Sequence, residues 1–134
     1  MIRYVFDSFA IIALFKEESG YELVKDCLIK ITNNEASGYI SAINVGEIFY
    51  MMCRKSNIKI ANEAIQDLMK MPLEIMEPDL DMCLKAAAIK AKNKLSYSDC
   101  FAAVLSIEKS AILITGDLEF NNLIGNPGFK VHFM

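Results

Sequence analysis

Ile2-Arg3-Tyr4-Val5-Phe6-Asp7-Ser8-Phe9-Ala10-Ile11-Ile12 is a β-rich run, one carboxylate, and then apolar sequence again. A charge inside such a run calls for a reason, because burying it costs free energy unless something compensates it. If Ile2–Phe6 is a central strand, Asp7 stands at its carboxyl end, the edge where open α/β sheets bind ligands. Asp7 is equally suited to cap a helix starting near Ser8, and the residues alone leave both roles open. Ala111-Ile112-Leu113-Ile114-Thr115-Gly116-Asp117 repeats the arrangement near the other end of the chain. Its first residues read as a buried strand, and Gly116-Asp117 is either an ordinary turn pair or the delivery of a second acid to the same edge.

Working outward, short β-rich runs recur at Ile2–Phe6, Gly38–Ile43, Leu73–Met76, Ala111–Ile114 and Phe129–Phe133. Helical spacing fills the intervals, at about Ser8–Lys16, Tyr21–Asn33, Ala42–Lys55, Ile58–Lys70, Asp79–Lys94 and Tyr97–Lys109. This alternation predicts an α/β fold, a central parallel sheet of about five strands flanked by helices in three layers, α/β/α. In the helix after Pro78, the stripe Leu80, Cys83, Leu84, Ala87 and Ala91 is expected to face the core. With 134 residues, 54% of them apolar, residues 1–134 are expected to form one domain with a real core.

Composition removes several classes of function. The apolar stretch Tyr4–Phe15 is broken by Asp7 and followed by no small-residue cleavage pattern, so neither a signal peptide nor a membrane span is expected. Cys27, Cys53, Cys83 and Cys100 form no C-x-x-C pair, and His132 is the only histidine. That argues against zinc and against a disulfide scaffold, and for a reducing cytoplasmic location. His132 lies in an apolar run and reads as a strand histidine.

Two further acids look out of place. Glu47 lies in Ala42–Cys53, a segment apolar nearly all the way round, so its charge needs either a salt bridge, with Arg54 in reach, or a metal. Ser41, directly after the strand, is the better helix cap there than Asn44. Asp99 follows Ser96 at the spacing of a capping box, or else joins Asp7 and Asp117 from the first turn of its helix. Carboxylates gathered in this way repel one another, so a cation or raised pKa values must accompany them. Oxygen donors without cysteine or histidine select Mg²⁺ or Mn²⁺, and such a site suits hydrolysis of a phosphodiester. A net charge of −3 is awkward for a phosphate-binding protein unless the acids do converge on a cation.

Val5-Phe6-Asp7-Ser8, Ser41-Ala42-Ile43-Asn44-Val45-Gly46-Glu47, Ser96-Tyr97-Ser98-Asp99-Cys100-Phe101-Ala102-Ala103 and Thr115-Gly116-Asp117-Leu118-Glu119-Phe120 together resemble the PIN-domain family, and within it the VapC-type toxins. The resemblance covers nearly the whole chain. It implies that Asp7, Glu47, Asp99 and Asp117 are metal ligands or water-activating acids for Mg²⁺ or Mn²⁺. Ser8 and Thr115 would support them through hydroxyl hydrogen bonds, and Glu119 would be an outer acid or a solvated turn residue. It also implies endonucleolytic cleavage of RNA, an antitoxin partner of a type II toxin–antitoxin pair, and a homodimer. An RNA-processing nuclease outside such a pair, or a catalytically idle scaffold, are the alternatives. The family often carries a small hydroxyl residue where this chain has Phe9.

A phosphohydrolase using Asp7 as nucleophile would want an Asp at that same position, two residues on. RNA needs a positive surface, and Lys90, Lys92 and Lys94 just before the Asp99 helix are the best candidates, with Lys16 and Arg54–Lys55 next. The eight methionines and the patches Phe49–Met52 and Met69–Met71 read mostly as core. Some of them are available to an antitoxin helix or a dimer contact.

Overall fold

The computed structural model describes all 134 residues. Five strands, β1 (Ile2–Phe6), β2 (Ala36–Ser41), β3 (Glu74–Met76), β4 (Ile112–Thr115) and β5 (Lys130–Phe133), form one sheet in the order β3-β2-β1-β4-β5. Every pairing is parallel. The helices α1 (Ser8–Lys16), α2 (Tyr21–Thr32), α3 (Ala42–Lys55), α4 (Ile58–Met69), α5 (Leu80–Lys92) and α6 (Tyr97–Glu108) connect them. The expected α/β architecture with its five-stranded parallel sheet is the one observed, with element ends shifted by a residue or two. Strand β2 shows the largest shift, starting at Ala36 and stopping at Ser41, because Ser41 turns out to cap α3 by accepting from Ile43 N–H at 3.2 Å.

The pleat of the strands separates two cores. Tyr4, Phe6, Ile40 and Ile114 point into one, which α1 to α4 cover. Val5 and Leu113, one residue out of phase, point into the other, against α5 and α6. Burial on both sides is why these strands read as continuous apolar runs rather than alternating ones. Gly38 lets β2 pass close under α2. A Cβ there would lie 2.4 Å from Ile31 Cδ1 and 2.6 Å from a Leu73 methyl.

Two local features depart from the sequence reading. On α5 the core face is formed by Met82 and Ala86 with Cys83 and Ile89 partly buried, whereas Leu80 and Leu84 are 74% and 62% exposed. Met82, Ala86 and Ile89 satisfy three-and-four spacing as well as the leucines do, so the two stripes compete for the same helix. Packing against α6 selects the stripe of Met82, Ala86 and Ile89, and both leucines are left facing solvent. A 3₁₀ helix at Leu118–Leu123 follows β4, and it buries Phe120 and Leu123. No helix is long and apolar enough to cross a membrane.

Candidate active site

Strand β1 is central, with β2 on one side and β4 on the other, so the chain leaves β1 in one direction and returns to its other flank much later. The carboxyl ends of β1 and β4 therefore bound the crevice in which open α/β sheets place ligands. Asp7 and Asp117 sit at those ends. Glu47 arrives from the second turn of α3 and Asp99 from the first turn of α6.

Asp7 is buried and spends both oxygens on the protein. Oδ1 accepts from Ala10 N–H at 2.9 Å, capping α1, and Oδ2 accepts from the Thr115 hydroxyl. The Thr115 oxygen in turn accepts from Asp117 N–H at 3.0 Å, so one hydroxyl ties the two strand ends together. Asp117 Oδ1 accepts from Glu119 N–H at 2.9 Å and so caps the 3₁₀ helix. Ser96 caps α6 by accepting from Asp99 N–H at 3.2 Å, which leaves the Asp99 carboxyl turned toward its acidic neighbours. Glu47 uses Oε2 alone, accepting from Ser98 Oγ at 2.7 Å and from the Tyr50 hydroxyl at 3.4 Å. The salt bridge open to it in sequence terms is not made. Arg54 lies over the Tyr50 ring instead, 5.1 Å from its centroid.

Burial pushes the Asp7 carboxyl up to about 7, aided by the charges of Asp117 and Glu47 and opposed by the Thr115 and Ala10 hydrogen bonds. Asp99 is pushed up to about 8 by burial, then by the Asp7 charge and by the neighbouring Asp117 carboxyl, against the Ser96 hydroxyl. These acids thus sense one another through a poorly solvated space.

Glu47, Asp99 and Asp117 line a cavity of about 200 Å³, with Ser8, Phe9, Met51, Ser96 and Glu119 completing its wall. Asp7 lies behind that wall, coupled electrostatically to the other three. Ser8 does not touch the acids. Its hydroxyl donates to Asn44 O at 3.2 Å and accepts from Asn44 Nδ2 at 3.1 Å. Lys92 and Lys94 are exposed near the start of α6, whereas Lys90 is engaged with Leu95 O at 2.7 Å. His132 lies on β5, lining a different cavity with Tyr4 and Cys27.

Two site residues escaped the sequence reading. Ser98 holds Glu47. Fully buried Asn44 links α1, α3 and α6 through Ser8 Oγ and Ser98 O, the latter at 3.5 Å, while its Oδ1 has no partner. The signal for Asn44 was present, a polar residue in an otherwise apolar stretch, but it was weighed only as a helix cap, a role that falls to Ser41.

The donor set fits a hard divalent cation, being all carboxylate and hydroxyl oxygen, and the mutual repulsion of the acids is what a cation relieves. As placed, the side chains do not close into a ligand cluster. No three acidic, histidine or cysteine side chains stand together closely enough to hold an ion, so binding one requires them to draw inward.

Acids gathered at the switch point of a parallel sheet, with hydroxyls fixing two of them, define an acidic α/β site suited to hydrolytic chemistry. The sequence agrees with that class. Residues 4–125 match the model of the PIN domain, and the chain belongs to the PIN-domain family, whose members are nucleases. No curated protein sequence matches the chain. Among solved structures, a chain of VapBC2 from Rickettsia felis, bound to a DNA fragment from its promoter, has a TM-score of 0.75 at 14% identity over 98% of both chains. VapC20 from Mycobacterium tuberculosis, a sarcin-ricin loop cleaving toxin, has a TM-score of 0.72 at 13% identity, covering 88% of this chain and 92% of its own. FitAcB from Neisseria gonorrhoeae has a TM-score of 0.68 at 19% identity, covering 98% of this chain and 96% of its own. At such identities the likeness is one of fold.

Proposed function

We propose that this chain is a Mg²⁺- or Mn²⁺-dependent endoribonuclease acting in the cytoplasm as the toxin of a type II toxin–antitoxin pair. The observation that carries the catalytic part is the gathering of Asp7, Glu47, Asp99 and Asp117 at the sheet's carboxyl edge, with two of the carboxyls pushed toward neutral pH by burial and by each other. The toxin assignment is supported by the VapBC complexes among the structures of like fold. On the same support we assign an antitoxin partner, and on the family resemblance a homodimer.

Asp7, Asp99, Asp117 and Glu47 would hold the cation, which when bound supplies charge neutralisation at the phosphodiester and acidifies water. The protein's own part is positioning and proton transfer. Thr115 fixes the Asp7 rotamer, and Ser98 fixes Glu47 through Oε2, so that Oε1 is free to take the proton of the attacking water. A bond forms from that water's oxygen to phosphorus, the bond to the leaving ribose oxygen breaks, and the leaving oxygen is protonated from solvent. Thr115 supports the site directly, whereas Ser8 acts through Asn44. Lys92 and Lys94, exposed in the segment that leads into α6, are assigned to the RNA backbone.

The test is cleavage of a mixed-sequence single-stranded RNA with Mg²⁺ or Mn²⁺, with EDTA, and by Asp7→Asn and Asp99→Asn. Cutting only by the parent with metal is expected. Cutting that survives EDTA or both substitutions would remove the assignment.

A further inference from the structure

Phe9 and Met51 line not only the acidic cavity but also a second one beside it, of about 410 Å³, completed by Ile12, Glu18, Ser19 and Lys55. That volume falls in the range of small-molecule sites. The ring of Phe9 is placed rather than loose. It packs over the turn that carries Asp117, so closely that a Cβ on Gly116 would lie 2.2 Å from Phe9 Cε1. Yet Phe9 is 48% exposed, offering ring surface to whatever enters.

Along α3, Glu47, Met51 and Lys55 follow at four-residue intervals. One helix face therefore presents a carboxylate, an apolar wall and a cation in line, about 6 Å apart per step. Lys55 is exposed and makes no ion pair, both salt bridges of the structure belonging to Lys85.

We propose that this second cavity is the subsite for one nucleotide of the substrate strand, next to the phosphodiester that is cut. Its base packs on Phe9 with Met51 beneath, Lys55 pairs with a phosphate, and Glu18 and Ser19 meet the polar edge of the base. A carboxylate there favours a base that presents an exocyclic amino group. Stacking on an aromatic ring combined with a phosphate-binding cation is the general means of holding single-stranded nucleic acid. Continuity with the acidic cavity aligns the subsite with the strand being cut. The inference rests on the nuclease reading, and Phe9 and Lys55 are positioning residues within it.

The experiment measures KM and kcat on a short fluorescein-labelled RNA for the parent, Phe9→Ala, Phe9→Tyr and Lys55→Ala, with circular dichroism to verify folding. The same RNA is also titrated onto each variant in an Asp99→Asn background by fluorescence anisotropy. Phe9→Ala is expected to raise KM and weaken binding roughly tenfold with kcat nearly unchanged, and Phe9→Tyr to restore both. Lys55→Ala should lower the salt dependence of binding by about one phosphate contact. An RNA with one abasic nucleotide beside the cut should lose affinity for the parent and none further for Phe9→Ala. Parent cleavage with unaltered KM and binding in Phe9→Ala and Lys55→Ala overturns the subsite while leaving the nuclease reading intact. Absence of any cleavage by the parent removes both. Retention of RNA cleavage with loss of a polypeptide partner in Phe9→Ala would make the cavity a protein dock and also overturn the subsite.

Discussion

Replacing Asp7 by Asn should stabilise the metal-free protein at alkaline pH while abolishing cleavage. The Asp7 carboxyl is raised from 3.8 to about 7, so the folded state holds a proton that the unfolded chain has released. Stability from this group is complete below pH 4 and is lost as pH climbs through 7. Three units correspond to about 4 kcal/mol at pH 8, and the site is too buried for solvent to screen it. Asn removes that loss because it never ionises. It keeps the cap on Ala10 N–H through its own Oδ1, since Asn caps as well as Asp. What it gives up is the bond to Thr115, whose hydroxyl proton loses its acceptor at a cost of about 1–2 kcal/mol. The net gain is about 2–3 kcal/mol at pH 8, which for a chain of this size is roughly 7–10 °C in Tm. At pH 4 the sign reverses, and the variant should melt slightly below the parent. Differential scanning fluorimetry of both proteins in EDTA between pH 4 and pH 9 measures this. An Asp7→Asn variant that melts below the parent at every pH would refute the electrostatic account of the site.

Divalent cation should reverse the same trend. Mg²⁺ should raise the Tm of the parent at pH 8 far more than at pH 5, where Asp7 and Asp99 are protonated, and an equal shift at both would mean binding elsewhere. Thr115→Val should destabilise by about 1–3 kcal/mol, because Asp7 Oδ2 and Asp117 N–H both lose their partner. Urea denaturation reads this, and an unchanged midpoint contradicts it. Glu47→Gln should leave the urea midpoint within about 1 kcal/mol of the parent, since Ser98 can still donate to it, yet lose RNA cleavage in the same preparation. Gly38→Ala should cost about 1–3 kcal/mol by overpacking Ile31 and Leu73, again by urea midpoint, and a neutral result would show that these side chains can shift aside.

The sheet was legible because its evidence is local. A strand buried on both faces writes itself as an unbroken apolar run, and Tyr4–Phe6 of β1 and Ile112–Ile114 of β4 do so in three residues each. Helix orientation was less legible because it depends on what lies opposite. On α5 the leucines at 80 and 84 carry the stronger hydrophobic signal, but α6 presents a face of small residues, Ala102 and Ala103 among them, that accepts Ala86 and Met82 instead. The 3₁₀ helix after β4 left no periodic trace at all. What places Leu118–Leu123 is the burial of Phe120 and Leu123 beneath it, together with the Asp117 cap.

For the site, the alternatives that the sequence left open prove to be one arrangement. Asp7 caps α1, Asp117 caps the 3₁₀ helix, and Asp99 sits in the capped first turn of α6. In a parallel sheet every strand runs toward the same edge, so the segments that directly follow a strand begin there, which places Asp7 and Asp117 at the ligand-binding edge by construction, whereas Asp99 reaches it from α6, which follows α5. Helix N-termini also carry partial positive charge, which favours a carboxylate placed on them. That offsets part of the repulsion, but not enough to keep Asp7 and Asp99 from being pushed upward. The capping role therefore explains how Asp7 and Asp117 are held in place, and the residual repulsion is the driving force with which the site would take up a cation. Glu47 is the exception that shows the rule. It lies in the second turn of α3, caps nothing, and is held by side chains alone, the Ser98 and Tyr50 hydroxyls, both on Oε2.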